Sequence, residues 1–145
     1  MQRDGRVAGF QVLRRENTWP ATPDHVRDAR REIAELARRA GVPSDALDAV
    51  RLAVSEAMSN AILHGYRDGP PGEVTVVAEA QDDRLEVRVR DHGCGMSPHF
   101  DGRGAGMGLP LIAELSDAVA VRPLADGDGG TEGHMTFRLQ PPAAG

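Results

Sequence analysis

The stretch Glu56-Ala57-Met58-Ser59-Asn60-Ala61-Ile62-Leu63-His64-Gly65-Tyr66 decides how this chain is read. It lies in the second half of a predicted helix where Glu56 is the only charge between Leu52 and Leu63. A helix that is apolar nearly all round is a buried one. A carboxylate and an amide inside it are costly unless partners or a ligand meet them. Glu56, Asn60 and His64 are spaced i, i+4 and i+8, so they form a ridge along one side. Leu47, Val50, Val54, Met58, Ala61 and Ile62 make the opposite, core-facing stripe. Taken alone, the ridge is either a set of polar groups satisfied inside the protein or one wall of a ligand site. Two glycine-rich segments downstream shift the balance towards a ligand.

Working outward, 145 residues imply a single domain with one sizeable core. The organised part is expected over about residues 19–138, with Gln140 to Gly145 as a flexible tail. Aromatic residues are only 3% of the chain, so Leu, Val, Ile, Ala and Met must do the packing. A net charge of −5 without a basic run argues against direct binding of nucleic acid. No apolar run approaches the roughly 18 residues of a membrane span, and no signal-peptide pattern is present. A soluble, cytoplasmic protein without membrane contact is the expectation. The single Cys excludes an internal disulfide and fits a reducing compartment. All 17 basic residues are Arg. The absence of Lys removes the Walker-type phosphate lysine, the lysine Schiff base and the kinase-type strand lysine together.

In chain order, Val7 to Arg15 alternates weakly and reads as an edge strand, and Asn17 to Ala21 as a connector. Thr22-Pro23 has the form of a helix start, a capping hydroxyl followed by proline. The helix should run to about Arg39 with Val26, Ala29, Ile33, Leu36, Ala37 and Ala40 as its apolar stripe, and Gly41 should end it. Ser44 is the expected cap of the second helix, which continues to Leu63 or His64. After the turn cluster Arg67 to Gly72, two alternating runs, Glu73 to Ala80 and Arg84 to Arg90, read as an antiparallel hairpin. Val74, Val76, Leu85, Val87 and Val89 are its expected buried face. A helix over Leu109 to Leu115 and strands over Ala118 to Arg122 and His134 to Leu139 complete the chain, with Gly133 a candidate bulge. Helices first and sheet mostly later give an α+β fold. The expected architecture is a two-layer sandwich of a mixed, mostly antiparallel sheet with helices on one face.

The glycines Gly102, Gly104, Gly106 and Gly108 precede the third helix at every second position. Such a loop lets backbone approach a ligand closely, and the amides at the helix start point at it. Without Lys, phosphate charge would be met by those amides, by the helix dipole, by Arg103 and by a metal. Asp91 ends a strand and is followed by Gly93 and Gly95. A carboxylate there accepts a hydrogen bond from an exocyclic amine while the glycines let a flat base lie against the backbone. Neither glycine cluster has the G-x-G-x-x-G spacing of a dinucleotide fingerprint. His92, Cys94 and His99 match no zinc pattern, and a fourth ligand is missing.

Three segments therefore stand in a fixed order: Glu56-x-x-x-Asn60-Ala61-x-x-His64, Asp91-x-Gly93-x-Gly95-Met96, and Gly104-x-Gly106-x-Gly108-Leu109. Together they resemble the N box and the two glycine boxes of the GHKL superfamily of ATPases and kinases, which share the Bergerat ATP-binding fold. Within it the chain is most similar to the anti-sigma factor serine/threonine kinases. Glu56 opening the first box, the His64-Gly65-Tyr66 ending and the Ala21-Thr22-Pro23 helix start favour them over histidine kinases. Gly130-Thr131 resembles the family's final Gly-Thr element, and the similarity spans roughly Trp19 to Arg138.

The resemblance implies ATP and Mg²⁺ as cofactors. Asn60 would hold Mg²⁺, Glu56 would be the general base towards a serine hydroxyl, and Asp91 with Thr131 would bind the adenine amine. Gly93 and Gly95 would flank the base, and Gly104, Gly106 and Gly108 would wrap the phosphates, with Arg103 as the lid cation facing the γ-phosphate. His64, Met96, Met107 and Leu109 would also belong to the nucleotide site. The implied partners are a sigma factor and a STAS-domain anti-anti-sigma protein, with a homodimer by analogy. One departure keeps a second reading open. Ser97 to Arg103 is much shorter than the family's usual lid, and lids exclude water during transfer. The alternative is a nucleotide-loaded switch that sequesters a partner without transferring phosphate. A histidine-kinase fragment ranks below both, because no helix pair with a phospho-accepting His precedes the domain.

Overall fold

The computed structural model describes residues 6–7, 10–11, 13–65, 72–81, 83–91, 108–124 and 130–139. The elements are β1 (Arg6–Val7), β2 (Phe10–Gln11), β3 (Leu13–Pro20), α1 (Asp24–Arg39), α2 (Ser44–Gly65), β4 (Glu73–Gln81), β5 (Arg84–Asp91), α3 (Gly108–Leu115), β6 (Ala118–Pro123) and β7 (Thr131–Arg138). Strands β3, β4, β5, β7 and β6 lie side by side in that order, and β1 and β2 pair separately. Every pairing is antiparallel. The mixed component expected from sequence is therefore not found among the described residues, while the α+β arrangement is.

The three helices share one face of the sheet. Helix α1 lies over β3 and β4, α2 over β4, β5 and β7, and α3 over β6, with α2 packed between the other two. Period-2 alternation explains which strand residues they cover. Leu85, Val87 and Val89 on β5 and Val74, Val76, Ala78 and Ala80 on β4 are all buried, as are Met135 and Phe137 on β7. Helix α1 contributes Ala29, Ile33, Leu36 and Ala37 to this core, and α2 contributes Leu47, Val50, Ala53, Val54, Met58 and Ala61. Both stripes follow the 3.6-residue period of the sequence. Burial of α2 is not uniform, however. Leu52 is 43% and Leu63 54% exposed, because a helix flanked by two others over a sheet still keeps one side in solvent.

The other face of the sheet carries charge in cross-strand pairs. Arg14 meets Glu79 at 3.3 Å, His134 meets Glu86 at 3.0 Å and Arg90 meets Glu132 at 2.7 Å. The two Arg–Glu pairs and the His134–Glu86 hydrogen bond support the register, each modestly.

Helix α1 ends as its sequence demands. Gly41 has φ +100°. The amide of Val42 donates to the Ala37 carbonyl at 3.0 Å, and that of Gly41 to Arg38 at 3.1 Å. These are the paired bonds of a Schellman cap, which satisfy carbonyls that the helix cannot. Its start differs by one residue from expectation. Pro23 takes the cap position and no side chain caps the helix, since the Thr22 and Pro23 carbonyls already accept from the amides of His25 and Val26.

Two strand assignments change. The edge strand is Leu13–Pro20 rather than Val7 to Arg15, so the expected connector is largely strand. Pairing with β4 from Leu13↔Ala80 to Pro20↔Glu73 decides this. Asn17 and Pro20 suit strands poorly, but the Asn17 amide bonds to Glu32 of α1, and Pro20 ends an edge strand where its missing N–H costs little. Strand β7 begins at Thr131, three residues before the expected start. Gly133 pairs in register with Val89 and Val121, so it is not a bulge. No helix among the described residues is long and apolar enough to cross a membrane.

Candidate nucleotide site

Strand β5 ends and β7 begins at the same edge of the sheet, and there the inward-facing positions stop being wholly apolar. The series Leu85, Val87, Val89 continues to Asp91, which is 1% exposed. Its cross-strand neighbour on β7 is Thr131, 4% exposed. A carboxylate and a hydroxyl thus occupy positions that the strand pattern reserves for hydrocarbon. Each has a polar interaction within the protein, and an ionised carboxylate has further acceptor sites to offer.

Above them runs the second half of α2. Ala57, Asn60 and Ala61 line a cleft whose other walls include Val89, Asp91, Thr131, Gly133 and Met135 from the sheet. Val119 and Val121 on β6 and Ile112 on α3 close its far side. The small residues at 57 and 61 leave the gap between helix and sheet open, and Asn60 projects into it. The cleft is open to solvent at its mouth. Its concave shape, apolar walls and few polar groups are features of a small-molecule site. Behind the floor, on the opposite face, the Arg90–Glu132 pair ties β5 to β7 beside Asp91 and Thr131.

The structure therefore brings together Asn60, Asp91 and Thr131 among the residues singled out from sequence. Glu56 is half-buried one helical turn before Asn60 and lies outside the cleft lining. His64 is in the last turn of α2, and Gly108 and Leu109 open α3. Gly93, Gly95, Met96, Arg103, Gly104, Gly106 and Met107 lie outside the described residues, as does the Ser97 to Arg103 segment. Sequence reasoning missed the cleft's far wall: Val119, Val121, Ile112 and the gap at Gly133. Stepping by two from Thr131 would have reached Gly133 and Met135. Nothing local points to β6, which reaches the site only through its pairing with β7.

No group of three or more His, Cys, Asp or Glu side chains able to hold a metal occurs among the described residues. A dedicated protein cage is thus not what these residues offer. A single amide oxygen from Asn60 does fit Mg²⁺, which keeps several waters and takes substrate phosphates as its other ligands.

The model of the histidine kinase-like ATPase domain family matches residues 19–137. The chain belongs to this family. Among the relatives of this histidine kinase-like ATPase domain is the serine-protein kinase RsbW of Bacillus velezensis, 42% identical over 118 residues, with 71% of this chain and 74% of the relative covered. The serine-protein kinase RsbW of Listeria innocua is 35% identical over 115 residues, covering 69% and 73%. The anti-sigma F factor of Oceanobacillus iheyensis is 30% identical over 122 residues, covering 77% and 82%. In shape the domain is similar to the crystal structure of the RsbU and RsbW domains of a Mycobacterium tuberculosis protein. The TM-score is 0.66 at 24% identity, over 90% of this chain and 33% of that one. A mycobacterial sensor histidine kinase, MprB, superposes with a TM-score of 0.55 at 19% identity. These two likenesses support the fold; the sequence relatives bear on what the fold is used for.

Proposed function

We propose that the cleft binds Mg-ATP and that the protein is an anti-sigma serine/threonine kinase. Its substrate would be a serine or threonine on a STAS-domain anti-anti-sigma partner. It would also hold a sigma factor, and act in the cytoplasm as a homodimer. The observation that carries this reading is the buried Asp91 carboxylate in an apolar cleft opposite Asn60, in a chain with relatives named serine-protein kinase and anti-sigma factor.

The apolar walls take the flat base, and Asp91 accepts a hydrogen bond from its exocyclic amine with Thr131 beside it. The phosphates then run along α2 towards the start of α3, where unpaired amides and the helix dipole favour negative charge. Asn60 Oδ1 would hold magnesium, which supplies charge neutralisation between the phosphates when bound. Glu56, one turn further back, accepts the proton of the attacking hydroxyl. The serine oxygen bonds to the γ-phosphorus as the bond to the β-phosphate oxygen breaks, and ADP departs. Little covalent chemistry is asked of the protein; positioning and charge stabilisation do most of the work.

Incubating the protein with Mg-ATP and a cognate STAS domain tests this directly. Phosphoserine or phosphothreonine on the STAS domain is expected. Binding of ATP and partner without transfer would instead favour the switch-protein reading, to which the short Ser97 to Arg103 segment points.

A further inference from the structure

Among the described residues that line the cleft, Gly133 is the one position without a side chain. It sits mid-strand between Val89 of β5 and Val121 of β6, in register with both. Its φ is not positive, so no backbone conformation requires glycine there. A Cβ built on it would meet no described atom within 4 Å. Glycine in a strand interior costs stability and marks a close approach or an opening. Here it leaves an opening. Val89, Val121, Val119, Met135 and Ile112 line the same cleft, so the gap has hydrocarbon walls. Hydrocarbon walls of that kind favour an apolar group over a polar one.

The gap also has a defined position relative to the polar pair. Gly133 is two residues along β7 from Thr131, and Val89 two along β5 from Asp91. Two residues of strand rise about 7 Å, further into the molecule from the mouth. We propose that the site accepts adenine nucleotides enlarged by an apolar substituent on the exocyclic amine, with Gly133 as the residue that admits them. A secondary amine keeps one N–H for the Asp91 carboxylate and lays its substituent over Gly133. This rests on the nucleotide reading given above and adds a ligand class to it.

The test uses ATP and an ATP carrying a benzyl group on that amine, titrated by calorimetry in the presence of magnesium. Parent protein, Gly133→Ala and Gly133→Val are compared, with circular dichroism and melting curves to verify folding. Valine suits a strand and its Cβ meets nothing, so Gly133→Val should fold and melt at or above the parent's temperature. The parent should bind both nucleotides with affinities within about tenfold, a window set by the cost of a modest misfit in a packed pocket. Gly133→Val should weaken benzyl-ATP by about tenfold or more beyond any effect it has on ATP, with Gly133→Ala in between. A parent that binds ATP and rejects benzyl-ATP overturns the inference and leaves the nucleotide reading intact. A folded Gly133→Val that loses both also overturns it, because the base itself would then occupy the gap. A parent that binds neither removes the nucleotide reading and the inference with it.

Discussion

Asp91 carries more of the functional argument than any other single residue. A carboxylate at 1% exposure is tolerated only where hydrogen bonds stabilise it, and its place at the end of β5 turns that requirement into a means of recognising an amine. Replacing it by Asn keeps the shape and removes the charge. Asp91→Asn should weaken ATP binding by about 10- to 100-fold, the range for losing a hydrogen bond to a charged group. Unchanged affinity in a folded variant would remove Asp91 from base recognition. Asn60→Ala separates the metal from the base. It should leave the fold intact and bind ATP about as well as the parent does without magnesium, yet gain nothing when magnesium is added. Equal strengthening by magnesium in both proteins would mean that Asn60 is not the ligand. Asn60 and Asp91 were legible in the sequence because each stands at a fixed spacing from a helix neighbour or a glycine, and Thr131 through the resemblance of Gly130-Thr131 to the family's final element. The gap at Gly133 was not, since an absent side chain has meaning only once the strands on either side of it are known.

At the scale of elements, the sequence was most readable where period and punctuation agree. Helix α1 shows this: its stripe is regular, and Gly41 closes it through a Schellman pair. Gly41→Ala meets no described atom at the new Cβ, so its effect isolates backbone strain, and it should cost about 1–2 kcal/mol. Met58→Ala, at a fully buried position of α2, should cost about 2–5 kcal/mol through lost transfer energy and a residual cavity. Urea titration checks both. The midpoints should fall in that order at constant slope. A Gly41→Ala midpoint as low as that of Met58→Ala would show that the cap, not the core, limits stability. Strand β3 was the least readable element. Asn17 and Pro20 have weak strand preferences, and only pairing with β4 and the Asn17–Glu32 bond make them strand residues. Long-range partners overrode local preference there.

At the scale of the molecule, the fold's use is to hold α2 at a fixed height above the end of β5 and the start of β7. Helix α1 packs on one side of α2 and α3 on the other, so Glu56, Asn60 and the Asp91–Thr131 pair keep one arrangement without any of them being on a loop. The two-layer order was legible because the two long helices precede most of the sheet in the chain. Sheet order was not, because β6 takes the edge beyond β7 and no local signal in the sequence encodes that placement. We propose that this arrangement transfers phosphate as well as binding nucleotide. The measurement that reaches it most directly is phosphoryl transfer from Mg-ATP to a cognate STAS domain by the parent and by Glu56→Gln, side by side with their ATP affinities. The substitution keeps volume and polarity but cannot take a proton. Phosphoserine or phosphothreonine on the partner is expected with the parent, and a rate lower by about 10² to 10⁴-fold with Glu56→Gln at nearly equal ATP affinity. Equal rates in the two proteins, or no transfer by a parent that binds both Mg-ATP and the partner, would contradict it.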